Sequence, residues 1–86
     1  MPVTGTDPLI SIIIPALNEE PYLGRTLQSL QQGAGVEVIV VDGGSADDTV
    51  RQAKAAGARV MVAAGGRACQ INAGAQAAPG DIFFFL

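Results

Sequence analysis

The sequence predicts an α/β fold: a mainly parallel sheet of about four strands with three helices, in the order βαβαβαβ. Three observations carry this prediction. Apolar runs rich in β-branched residues recur without polar alternation, as in LISIII and VIVV, the pattern of strands covered on both faces. Segments with helical apolar spacing lie between them, and the connections are short and rich in glycine and proline. Parallel neighbours joined in this way take right-handed crossovers.

Residues 1–8 read as a flexible leader, because Pro2, Thr4, Gly5, Thr6, Asp7 and Pro8 precede the first apolar run. Leu9 to Ile14 is the first strand. Pro15 cannot donate to a ladder, so the strand is expected to end there. Ala16, Leu17, Asn18 and Glu19 form the turn above its carboxyl end. Pro21 suits a first helical turn, and Leu23, Leu27 and Leu30 make an apolar stripe that packs on a sheet. Gly33 and Gly35 end that helix.

The second strand centres on Val38, Ile39, Val40 and Val41 and leaves the sheet at Asp42. Gly43 and Gly44 allow a tight turn. Ser45, followed three residues later by Asp48, reads as an acidic variant of the capping box, so a helix is expected from about Ala46 to Ala56, with Val50, Ala53 and Ala55 or Ala56 inward. Gly57 stops it. Arg59 to Ala63 is a short third strand, and Gly65 and Gly66 precede a helix of small residues from about Arg67 to Ala77. Pro79 and Gly80 break that helix, Asp81 is a strand-entry turn residue, and Ile82 to Leu86 begins a fourth strand. Phe83, Phe84 and Phe85 call for cover that the chain only partly provides. The expectation is the front part of a larger domain, or a module that associates through its sheet.

Composition narrows the function classes. The 86 residues are 49% hydrophobic and 15% charged, too apolar for a disordered chain. Five cations against eight acids give a net charge of −3 with no histidine, and without clustered cations nucleic acid is not an expected partner. Cys69 is the single cysteine, so no internal disulfide forms, and a reduced, cytoplasmic setting is expected. It reads as a buried small side chain, since no histidine or second cysteine activates it. No segment approaches the roughly 20 apolar residues of a membrane span.

Asp42 is the candidate functional residue that spacing alone identifies. Ligands of open α/β sheets bind outside the carboxyl ends of strands, where Asp42 stands in one layer with Asn18 and Glu19. Two readings are open: the carboxylate meets a ligand, or it caps its own turn. Asp47 and Asp48 read as capping groups. The first turn lacks G-x-G-x-x-G and no P-loop is present, which disfavours dehydrogenases and P-loop enzymes. PALNEE offers acids where a nucleotidyltransferase would carry a glycine-rich loop with a cation.

ISIIIPALNEE, VEVIVVDGGSADDT and GGRACQINAGAQAAPGDIFFFL, in that order, resemble the N-terminal nucleotide-binding half of family 2 glycosyltransferases. The resemblance spans Leu9 to Leu86 and implies a Rossmann-like GT-A half domain. Within the family, GGRA followed by Gln70, Asn72 and Gly74 looks most like the subgroup named for arsenosugar biosynthesis. The implied activity is inverting transfer of a sugar from a nucleotide diphosphate sugar, UDP-linked by expectation, to an acceptor hydroxyl. By the same resemblance Pro15, Ala16, Asn18 and Glu19 match a nucleotide-binding loop, and Asp42, with Gly44 beside it, matches an acid that hydrogen-bonds the nucleobase. Arg67 matches a basic residue at the pocket edge, and Asn72 with Gly74 a helix motif beside it. Each has a structural alternative: Glu19 and Glu20 favour a helix start, Arg67 is a solvated side chain, and Asn72 bridges backbone groups. A divalent metal (Mg or Mn) is expected for the full-length family. Its ligands and the catalytic base are expected beyond Leu86, so no residue here is assigned as catalytic and the chain alone is not expected to transfer sugar. A homo-oligomer or a C-terminal half is the partner this implies; the alternative is a non-catalytic module that self-associates.

Overall fold

The computed structural model describes residues 10–30, 35–78 and 81–84. The elements run β1 (Ile10–Ala16), α1 (Glu20–Ser29), β2 (Val36–Asp42), α2 (Thr49–Ala55), β3 (Arg59–Val62), α3 (Arg67–Ala77) and β4 (Asp81–Phe84). The four strands form one parallel sheet in the order β3-β2-β1-β4. The expected leader, Leu9, Gly33, the break at Pro79 and Gly80, and Phe85 and Leu86 lie outside the described residues. So do the side chains from Ile82 to Phe84, and with them the expected cover of the phenylalanines.

The sheet is covered on both faces, as the unalternating β2 sequence requires. Val38, Ile39, Val40 and Val41 are all fully buried. On one face Val38 and Val40 join Ile14, Leu23 and Leu27 of α1 and Ala53 of α2, with Leu30 packed against them. On the other, Ile13, Ile39 and Val41 pack against Ala73 and Ala75 of α3. Gly74 lets α3 settle onto that second face. A Cβ there would lie 2.6 Å from Ile13 Cγ2 and 3.1 Å from Val41 Cγ2, well inside carbon–carbon contact.

Several boundaries differ from the sequence expectation. Strand β1 continues through Pro15 to Ala16. Ile10 N–H donates to Gly35 and the Ala16 carbonyl accepts from Gly43, so even-numbered residues of β1 face β2. Pro15 belongs to the alternate set, and its missing N–H removes nothing from the β1–β2 ladder. Asp42 stays in the sheet as the last residue of β2, in register with Ala16 and Val62. Asp81, expected as a strand-entry turn residue, is the first residue of β4, opposite Ile10. Helix α2 starts at Thr49, not Ala46, and its cap residue Asp48 makes no side-chain cap bond. The reason lies across the chain: Ala46 N–H donates to Asn18 Oδ1 and Asp48 N–H to Glu20 Oε1. Thr49 and Ala53 form the inward face of α2, whereas Ala55 and Ala56 are exposed.

Candidate functional site

The carboxyl ends of β1 and β2 stand side by side, and Asp42 is the acid placed there. It is 2% exposed. Its Oδ2 accepts from the N–H groups of Gly44 (2.9 Å) and Ser45 (2.8 Å), and its Oδ1 accepts from the Ser45 hydroxyl. Burial works against the charge and so does nearby Asp47. The Ser45 hydroxyl and the two N–H donors outweigh both and hold the carboxyl below its ordinary 3.8. The turn-capping reading of Asp42 is therefore the one its geometry displays. Gly44, at φ 107°, supplies the left-handed residue that folds the turn back onto the carboxylate.

Ser45 does not begin a helix. Its hydroxyl serves Asp42 and accepts from Asn18 N–H at 2.8 Å, while Asn18 Oδ1 accepts from Ala46 N–H at 2.8 Å. A second set of bonds lies beside the first. Glu19 N–H donates to Thr49 Oγ1 at 3.0 Å and Glu20 N–H to Asp47 Oδ2 at 3.3 Å. Asp47 Oδ1 accepts from both the hydroxyl and the N–H of Thr49. The Thr49 hydroxyl bond leads the donors that lower the Asp47 carboxyl below its ordinary value. The loop after β1 and the loop after β2 are thus one hydrogen-bonded unit.

Above the end of β1 and against the start of α3 lies a cavity of about 270 Å³, lined by Pro15, Ala16, Leu17, Glu19, Gly66, Arg67 and Gln70. The first N–H groups of a helix have no partner inside it, and no side chain caps the start of α3. Arg67, exposed at that start, adds a full positive charge to the partial charge of the helix end. The cavity suits an anionic ligand with a polar body.

Of the residues singled out in the sequence, Pro15, Ala16, Glu19 and Arg67 come together around this cavity. Asn18, Asp42 and Gly44 form the turn network at its flank. Asn72 lies on an exposed face of α3 and is not part of the lining. Cys69 is exposed, not buried. The inward face of α3 is set by Gln70 and Gly74, and Cys69 is one position off it. Gln70 went unassigned in the sequence, yet it lines the cavity and is 6% exposed. Its four-residue spacing from Gly74, which puts both on one helix face, was the signal available. Among the described residues no group of three or more acidic, histidine or cysteine side chains could hold a metal ion. Asp42 and Asp47 direct both their oxygens at N–H and hydroxyl donors, so the carboxylates nearest the strand ends do not make a ligand set. No described helix is long and apolar enough to cross a membrane.

Comparison with known proteins matches residues 11–86 to the model of glycosyl transferase family 2. Glucosyl-3-phosphoglycerate synthase of Mycolicibacterium paratuberculosis is 47% identical over 55 residues, covering 60% of this chain and 17% of that protein. The 4,4'-diaponeurosporenoate glycosyltransferase of Staphylococcus aureus is 49% identical over 53 residues, covering 60% of this chain and 14% of its own length. Among solved structures, glucosyl-3-phosphoglycerate synthase of Mycobacterium tuberculosis with Mn2+, UDP and glucosyl-3-phosphoglycerate superposes with a TM-score of 0.80 at 33% identity. It covers 91% of this chain and 33% of its own. The same enzyme with Mg2+ and UDP also gives 0.80. The chain thus spans less than a fifth of these curated relatives and about a third of the solved ones. None of them carries the arsenosugar name, so that narrower resemblance gains no support. The Rossmann-like GT-A arrangement expected from the motifs is the one found, and the chain belongs to glycosyl transferase family 2.

Proposed function

We propose that this chain provides the nucleotide-binding part of an inverting glycosyltransferase and holds the nucleoside diphosphate, UDP, of its sugar donor. The observation that carries the reading is the cavity where Arg67 and the uncapped start of α3 face the loop Pro15 to Glu19. In the matched structures the same fold is crystallised with UDP. Arg67 and the α3 N–H groups meet the diphosphate, and Glu19 accepts from the nucleoside. Asp42, Gly44 and Asn18 hold the loop unit in place, and Asp42 keeps acceptor capacity on Oδ1 for a base N–H.

In the reaction the bond from the anomeric carbon to the diphosphate oxygen breaks as the acceptor oxygen bonds to that carbon from the opposite side. The acceptor proton passes to a base. That base, the acceptor site and the ligands of the divalent ion seen in the neighbours belong, in this reading, to the length of the relatives that this chain does not span. A cytoplasmic setting accompanies it, since a lone exposed thiol stays unpaired in a reducing compartment.

Calorimetric titration with UDP, with and without manganese, tests the proposal. Saturable binding that weakens by about tenfold or more in Arg67→Ala, with thermal stability unchanged, is expected for a charge-assisted phosphate contact. A folded chain that binds no UDP in either condition would overturn it and favour a self-associating module.

A further inference from the structure

Gln70 is a buried polar side chain at the cavity whose two amide hydrogens are already committed. Its Nε2 donates to the Ala16 carbonyl at 3.0 Å and to the Val41 carbonyl at 2.8 Å, one from each of the adjacent strands β1 and β2. This fixes which way the amide faces. The amide packs close to Gly43, where a Cβ would lie 3.1 Å from Nε2 and 3.2 Å from Cδ, and because both of its strand partners are carbonyls, only the NH2 end can face them. Among the described residues no donor reaches Oε1. What Gln70 has left for a cavity ligand is a single oriented acceptor.

We infer that Gln70 is a specificity-determining residue that accepts a hydrogen bond from a ribose hydroxyl of the bound nucleotide through Oε1. The inference rests on the nucleotide reading given above. Its position selects the ribose over the base. Gln70 lies three residues beyond Arg67 on α3, about 4.5 Å along the helix axis at 1.5 Å per residue. With the diphosphate at Arg67, that reach meets the adjoining sugar and falls short of the base. The ribose offers O–H donors that a committed acceptor can read, and a deoxyribose withdraws one of them. An acceptor in the cavity wall, covered by the bound nucleotide, then faces a ligand with nothing to give it, which is how polar groups desolvated on binding discriminate.

The test compares UDP, 2'-deoxy-UDP and 3'-deoxy-UDP by calorimetry on the native protein and on Gln70→Met, which keeps the length of the side chain and removes the acceptor. In the native protein one deoxy analogue is expected to bind about three- to tenfold more weakly than UDP, the range of one lost neutral hydrogen bond. In Gln70→Met that difference should disappear, because the partner atom is gone. A merely structural role would weaken all three ligands in parallel and leave their ratios unchanged, which would overturn the inference. So would native protein that binds both deoxy analogues as tightly as UDP, a result that needs no variant to fold. Absence of UDP binding to the native protein defeats the nucleotide reading itself, and is distinguishable from UDP binding without ribose discrimination.

Discussion

Replacing Gly74 by alanine sets two opposed effects against each other at one atom. Alanine is favoured over glycine in a helix interior by about 0.8–1.0 kcal/mol. The added methyl, however, would sit 2.6 Å from Ile13 Cγ2, 3.1 Å from Val41 Cγ2 and 3.3 Å from Ile13 Cδ1, against an optimal carbon separation of about 3.5–4.0 Å. Ile13 and Val41 are fully buried between the sheet and α3, so neither can swing away. Relief requires α3 to lift from the sheet, and overpacking of this kind costs about 1–3 kcal/mol. Taking about 2 kcal/mol for the clash and about 1 kcal/mol for the propensity gain, Gly74→Ala loses about 1 kcal/mol net.

Gly24 on α1 is the internal control, because a Cβ there meets nothing within 4 Å. Gly24→Ala should keep most of the propensity gain, about 0.5–1 kcal/mol. The same substitution on two helices is thus expected to differ by about 2 kcal/mol. With a urea slope of about 1 kcal/mol/M the midpoints differ by about 2 M. Equilibrium urea unfolding followed by far-ultraviolet circular dichroism measures this directly. A Gly74→Ala protein with a midpoint at or above the native one, at unchanged slope, would refute the close approach of α3 to the sheet.

Two further predictions concern the strand-end network. The folded-state carboxyls of Asp42 and Asp47 lie below their ordinary value of 3.8, so their contribution is fully present above about pH 4–5 and is lost as pH falls through the depressed values. The urea midpoint should hold level from pH 7 to about 5 and drop below about pH 4, with a shallower drop in Asp42→Asn; identical acid profiles would remove Asp42 from the account. Thr49→Val keeps the shape of a fully buried side chain while deleting the acceptor for Glu19 N–H and the donor to Asp47. It should cost about 1–3 kcal/mol in urea unfolding, and a neutral result would show that the Glu19 amide is satisfied by water.

The order of elements was legible because it depends on local pattern. Four consecutive β-branched residues with no alternation demanded cover on both faces, and Val38 to Val41 have it. The stripe of Leu23, Leu27 and Leu30 packs on the sheet as its spacing required. What was not legible depends on partners far along the chain. Ser45 and Asp48 have the form of a capping box, but the Ser45 hydroxyl is claimed by Asp42 and by Asn18, 27 residues away. Those bonds, with the one from Ala46 to Asn18, delay the helix to Thr49. Asp42 was recognised as the residue at the strand end, while its orientation back into its own turn follows from Gly44 and Ser45 acting together. Gln70 stood out in the sequence only as part of a motif and received no role, because that role arises only where α3 crosses the ends of β1 and β2.

The paired loops have a thermodynamic consequence. Both connections lie at the crevice, and each uses the other's side chains to satisfy its own N–H groups across separations of 27 to 30 residues. Disorder in one therefore strands donors in the other, and the two order together when the sheet forms. In the binding mode proposed for this chain, a ligand at Pro15 to Glu19 meets a segment whose conformational entropy was surrendered at folding. Association then spends little of its interaction energy on fixing the protein, and the affinity reports the contacts themselves.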